Sequence, residues 1–183
     1  MKVIYAECSL PFWIEISKYL SERAGWKPCY WIASPEQESS IKEVFTEIVF
    51  HSTFDAIRGI APPGFDDAFA TPLDEELLRS LSDQESTALN MMDRMDPDGS
   101  FSYSDRLRLY HGLVKYWNSV LKQTKPDIVV FPNAPHLIFD YVMYMLCQRI
   151  GIKTIMFERI GIPGMIFPLE QLESGSPYIE SIY

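Results

Sequence analysis

Several short segments of this chain are apolar at nearly every position: Lys2-Val-Ile-Tyr-Ala6, Cys29-Tyr-Trp-Ile-Ala33, Ile128-Val-Val-Phe131 and Ile152-Lys-Thr-Ile-Met-Phe157. A strand with one wet face alternates polar and apolar residues. A continuous β-branched and aromatic run instead marks a strand covered on both faces, the habit of parallel sheets. Between the first two runs, Phe12, Ile16, Tyr19 and Leu20 recur at helical spacing with Trp13 beside them, and Gly25 closes the segment. Ser9 is placed to cap this helix and Pro11 to sit in its first turn. Strand, helix and strand within 33 residues form a βαβ unit. The expected fold is α/β: a Rossmann-like three-layer domain with a parallel sheet, filling residues 1–183 as a single lobe.

The remaining elements follow from the same rules. Glu47 to His51 reads as a further strand, and residues 35–46 as a loop or short helix. Gly59, Pro62, Pro63 and Gly64 punctuate a loop. Thr71 with Asp74, and Ser82 with Glu85, have capping-box-like spacing and predict two helices over 72–95. From Ser102 or Ser104 a long helix runs to about Thr124, with Leu107, Tyr110, Leu113, Val114, Trp117, Val120 and Leu121 on its inner stripe. The segment 136–150 is a helix apolar nearly all round, ended by Gly151.

Charge sorts these elements further. Residues 66–105 hold eleven acids and two bases, so the whole formal charge of −9 belongs to one acidic helical insert. The rest of the chain is neutral, which argues against a phosphate backbone as ligand and predicts no nucleic-acid partner. Three cysteines without a CxxC pair suit a reducing compartment. Met1 to Glu7 is too short for a signal-peptide core, and the apolar stretch Ile128 to Cys147 is broken by Asn133, His136 and Asp140. A cytoplasmic protein without a transmembrane segment is expected, with peripheral attachment to an inner membrane left open.

The common chemical motifs are missing. No GxGxxG follows the first strand, no GxxxxGK[ST] occurs, and no GxSxG elbow exists. Cys8 lacks the Arg six residues on that a small cysteine phosphatase needs, since Ile14 stands there. Asp96-Pro-Asp-Gly99 starts like a calcium loop, but Phe101 and Leu107 occupy the positions that need Gly and Glu. No metal site is expected.

In a parallel sheet, ligands sit outside the carboxyl ends of the strands. That rule selects the loop Glu7-Cys8-Ser9, the loop Pro132 to His136, and the segment Glu158 to Gly164. His136 is the most informative residue, because a histidine at the start of a helix can serve as a base. Asp140 lies one turn later on the same face and could fix its tautomer. The competing reading of the pair is purely structural, and that of Glu158-Arg159 is a surface ion pair. His51 and His111 have weaker contexts.

The run Lys125-Pro-Asp-Ile-Val-Val-Phe-Pro-Asn-Ala-Pro-His136, then Phe139-Asp-Tyr141, then Gly151-Ile-Lys-Thr-Ile-Met-Phe157, resembles a block in bacterial capsular and surface polysaccharide biosynthesis proteins. Those proteins look like glycosyltransferases of the GT-B type, with two Rossmann-like lobes. Phe54 to Ile60 and Met91 to Tyr116 fit the same impression. The resemblance implies an N-terminal, acceptor-side lobe. His136 would act as base, oriented by Asp140. Glu7, Ser9, Asn133, Glu158 and Arg159 would bind a sugar or glycan acceptor. It also implies that the nucleotide-sugar donor binds a second lobe absent from residues 1–183, so this lobe carries no cofactor and works with a C-terminal lobe or a partner protein. The alternatives are a non-enzymatic binding module of a polysaccharide assembly complex, and a small-molecule α/β enzyme such as a sugar-nucleotide epimerase half.

Overall fold

The computed structural model describes residues 1–65, 72–73, 75–159 and 165–172. Six strands form one sheet: β1 (Lys2–Tyr5), β2 (Lys27–Ala33), β3 (Val49–Ser52), β4 (Ile128–Phe131), β5 (Lys153–Arg159) and β6 (Ile166–Leu169). Their order is β3-β2-β1-β4-β5-β6. The first five are parallel, and β6 returns antiparallel to β5. The expected α/β, Rossmann-like architecture is the observed one. The strand β6 is an addition to the expected elements, its signal in Ile166-Phe-Pro-Leu169 weakened by the proline. As an edge strand it tolerates Pro168.

Seven helices cover the sheet among the described residues: α1 (Phe12–Ala24), α2 (Glu38–Val44), α3 (Thr53–Ala56), α4 (Glu75–Ser80), α5 (Ser82–Arg94), α6 (Tyr103–Thr124) and α7 (Ile138–Ile150). The period-two alternation of the strands divides the core. Val3, Tyr5, Trp31, Ala33, Phe50 and Val130 pack under α1 and α2, against Trp13, Ile14 and Ile41. Ile4, Ala6, Tyr30, Ile32, Val129 and Phe131 pack on the other side, under α5, α6 and α7. Both sheet faces are thus dry, as the unbroken apolar runs demand.

The first helix departs from expectation. Its buried residues are Trp13, Ile14 and Ser17, while Phe12 and Tyr19 are 49% and 62% exposed. Ile16 is exposed too. The helix is turned so that Trp13 reaches the ring of Phe157 on β5, 5.4 Å between centroids. Ser9 does not cap it. Pro11 is the N-cap residue and makes no side-chain cap, whereas Gly25 ends the helix in the left-handed region as expected.

The acidic insert is mainly helical where described, with a turn before α6. Its α5 packs across α6 and α7 through Ala88, Met91 and Met92, and Leu81 is buried at the α4–α5 junction. Met95, at the end of α5, is 56% exposed. Ser82 forms no capping box, since Leu81 takes the N-cap position; Thr71 lies outside the described residues. Ser102 does cap α6, accepting from the Asp105 amide at 3.2 Å and donating to its carboxylate at 2.6 Å.

The two halves of the chain are joined at the centre of the sheet. Asp127 accepts the backbone N–H of Lys2 at 2.6 Å, across 125 residues. Among the described residues no helix is long and apolar enough to cross a membrane.

Candidate functional site at the carboxyl edge of the sheet

The order 3-2-1-4-5 places the reversal of winding between β1 and β4. The loops that follow these two strands flank the crevice where open α/β sheets take ligands. The two strand ends touch: the Ala6 amide donates to the Val130 carbonyl at 2.9 Å.

Beyond β1 the chain turns sharply. Glu7 has φ 65°, a left-handed conformation that costs a residue with a Cβ about 1 kcal/mol or more. The turn is fixed from below, where the Trp31 indole N–H donates to the Cys8 carbonyl at 3.0 Å. It is also fixed from the side chains. Oε1 of Glu7 accepts the Ser9 hydroxyl at 3.1 Å, and Oε2 accepts the Thr53 hydroxyl at 2.8 Å. Ser9 Oγ in turn accepts the Ser34 backbone N–H at 3.0 Å. Glu7, Ser9, Ser34 and Thr53 are all half-buried. One hydrogen-bonded cluster therefore ties together the ends of β1, β2 and β3. Cys8 points inward instead. Its thiol is buried, and burial followed by the charge of Glu7 pushes its pKa well above the usual value, so it is no nucleophile.

Beyond β4 lies His136, which is exposed. Its Nδ1 is 3.0 Å from the Ala134 carbonyl oxygen, which can only accept. Nδ1 therefore donates, and in the neutral ring Nε2 is the accepting nitrogen. Asp140 does not orient this ring, contrary to expectation. Its carboxylate takes backbone amides, His136 N–H at 3.1 Å and Tyr141 N–H at 2.7 Å. Asp140 thus ties the loop to the first turn of α7, supplying acceptors that the N-cap residue Leu137 does not. Burial raises its pKa to about 7, against the lowering effect of those amides and of His136.

The other expected residues are placed differently. Asn133 is half-buried in the same loop as His136. Glu158 and Arg159 were expected in a loop, but both belong to β5, opposite Phe167 and Ile166 of β6. The side chain of Glu158 is exposed, and that of Arg159 lies outside the described residues. The strand β4 separates them from Glu7 and Ser9. Ser34 and Thr53 were missed. The expected strand over 47–51 runs over Val49–Ser52, and Ser34 and Thr53 directly follow β2 and β3. Applied to every strand, the carboxyl-end rule selects both.

No three or more His, Cys, Asp or Glu side chains among the described residues group as a metal site. A pocket of about 340 Å³ beside Gly151, Lys153, Thr154 and Glu170 lies at the amino ends of β4 and β5, the opposite edge of the sheet. No family model matches this sequence, and no curated protein shows significant similarity to it.

Proposed function

We propose that this chain is the acceptor-side lobe of a sugar-transferring enzyme of polysaccharide assembly. The observation that carries this reading is the exposed His136, its Nδ1 bound to the Ala134 carbonyl, at the rim where the sheet reverses its winding. In an inverting transfer, the acceptor oxygen bonds to the anomeric carbon of the donor sugar as the nucleotide diphosphate leaves. Nε2 takes the proton that this oxygen sheds. The Ala134 carbonyl holds the tautomer that makes this feasible, and Asp140 holds the loop. Glu7, Ser9 and Asn133 supply acceptors and donors for sugar hydroxyls, with Glu158 and Arg159 farther along the rim.

The test is transfer from nucleotide sugars by the product of the complete reading frame. Loss of the base in a His136→Ala variant lowers the rate about a hundredfold or more. A variant that keeps over half the original rate removes His136 from the chemistry. A second reading, a binding module without catalysis, is favoured by the exposed Phe12, Ile16 and Tyr19 on α1. It predicts no transfer by the complete product, and a partner protein protecting α1 from hydrogen exchange.

A further inference from the structure

The geometry points to the Glu7 carboxylate as a reader of vicinal diols, clamped for that task by Ser9 and Thr53. This deepens the acceptor-lobe reading and rests on it only for the identity of the natural ligand.

A carboxylate has about four lone-pair positions, two on each oxygen. Each oxygen of Glu7 uses one to accept a hydroxyl. One position on each oxygen is left, and two neighbouring acceptors on a planar group match two adjacent hydroxyl donors. The clamp fixes the direction. The Ser9 hydroxyl turns its hydrogen to Glu7, because a carboxylate only accepts, while its oxygen accepts the Ser34 amide. Among the described residues Glu7 takes part in no ion pair, so its acceptors are not spent on a described lysine or arginine. The left-handed backbone at Glu7 adds to the case. A glycine would adopt φ 65° without cost, whereas Glu7 carries its side chain at the expense of that strain.

A carboxylate fork also suits a guanidinium or ammonium group, but the surroundings disfavour a cation. Both α1 and α7 start at this edge of the sheet and turn their positive ends toward it. A neutral polyol meets the spare lone pairs of Glu7 without opposing that field. Two sources share the chemistry: a pyranose with adjacent free hydroxyls, and the ribose of a nucleotide.

The experiment uses this chain and ligand-observed NMR titration. The probes are a methyl hexopyranoside, its monodeoxy analogues, uridine, deoxyuridine and methylguanidinium. The pyranoside or uridine is expected to bind weakly, and removal of one hydroxyl of the diol weakens that ligand by about tenfold. Which parent binds identifies the source. Glu7→Gln reduces the parent's affinity by about tenfold and abolishes the preference over the deoxy analogue. Thr53→Val, which loosens the clamp but keeps the carboxylate, gives a smaller loss. His136→Ala leaves the diol preference intact. Circular dichroism confirms that each variant is folded. The inference is overturned by equal binding of parent and deoxy ligands, by an unchanged preference in Glu7→Gln, by tighter binding of methylguanidinium, or by no binding of either parent. None of these outcomes touches transfer by the complete product, which judges the acceptor-lobe reading separately.

Discussion

The hydroxyl of Tyr30 lies 2.7 Å from Nδ1 of His51, while Nε2 of the same ring lies 2.8 Å from the Ile60 carbonyl oxygen. The carbonyl must accept, so Nε2 carries the proton and Nδ1 accepts from Tyr30. The Tyr116 hydroxyl, 2.9 Å from that of Tyr30, continues the chain. The imidazole is held neutral under the loop that contains Ile60.

Burial lowers the pKa of His51 to about 4, against smaller raising effects from Ile60 and Asp55. The unfolded chain takes up a proton near the ordinary histidine value of 6.5, and the folded chain resists it. Stability is therefore full above pH 6.5 and falls as pH drops toward 4, by an amount on the order of 3 kcal/mol. Urea unfolding across this range should show the loss. A His51→Gln variant should be less stable at neutral pH but lack this histidine-linked fall.

Asp140 titrates with the opposite sign in the same window. Its folded-state pKa is raised to about 7, so the folded chain binds a proton that the unfolded chain has released. That contribution is complete below about pH 4 and is lost as pH rises through about 7. An Asp140→Asn variant should lose this component, so its stability should fall more steeply than wild type as pH drops from 7 to 4. Unfolding curves of the two single variants separate the opposed terms.

The orientation of α1 can be tested by paired substitutions. Trp13→Ala removes a buried indole that touches Phe157, and should cost about 3–5 kcal/mol. Phe12→Ser with Tyr19→Ser alters exposed positions and should change stability by about 0.5 kcal/mol per site or less. Equal losses in both would place the helix with its other face inward.

Lys125 ends α6 with φ 46° and an exposed side chain. Glycine adopts this conformation without the Cβ penalty. Lys125→Gly should stabilise the chain by about 1 kcal/mol, and thermal unfolding should shift upward by a few degrees.

The sheet was legible because burial on both faces leaves a mark on every residue of a strand. Val129 and Val130 serve opposite cores, and both had to be apolar. The rotation of α1 was not legible, because Phe12-Trp-Ile14 offers apolar residues to two faces and only the position of Phe157, from the far end of the chain, selects Trp13. The candidate site was readable as strand ends and unreadable as contacts. Position after β1 picked out Glu7 and Ser9. Their link to Thr53 spans 46 residues for Glu7, and no local pattern announces it. His136 and Asp140 stand four apart, which suggested a pair of side chains. The same spacing at a helix start also lets a carboxylate reach back to amides, and that alternative prevailed.

The strand nearest the beginning of the chain sits in the middle of the sheet, with β2 on one side and β4 on the other. Its tie to Asp127 closes over 125 residues, which a ribosome takes about 6–25 s to make. During that interval β1 can pair with β2, while its other edge waits for a partner not yet synthesised. A nascent chain of this order spends seconds with an apolar strand edge open to water and to other nascent chains. The crossover through α6 must close before that edge is protected, so escape from aggregation during synthesis depends on the second half of the molecule reaching the first in time.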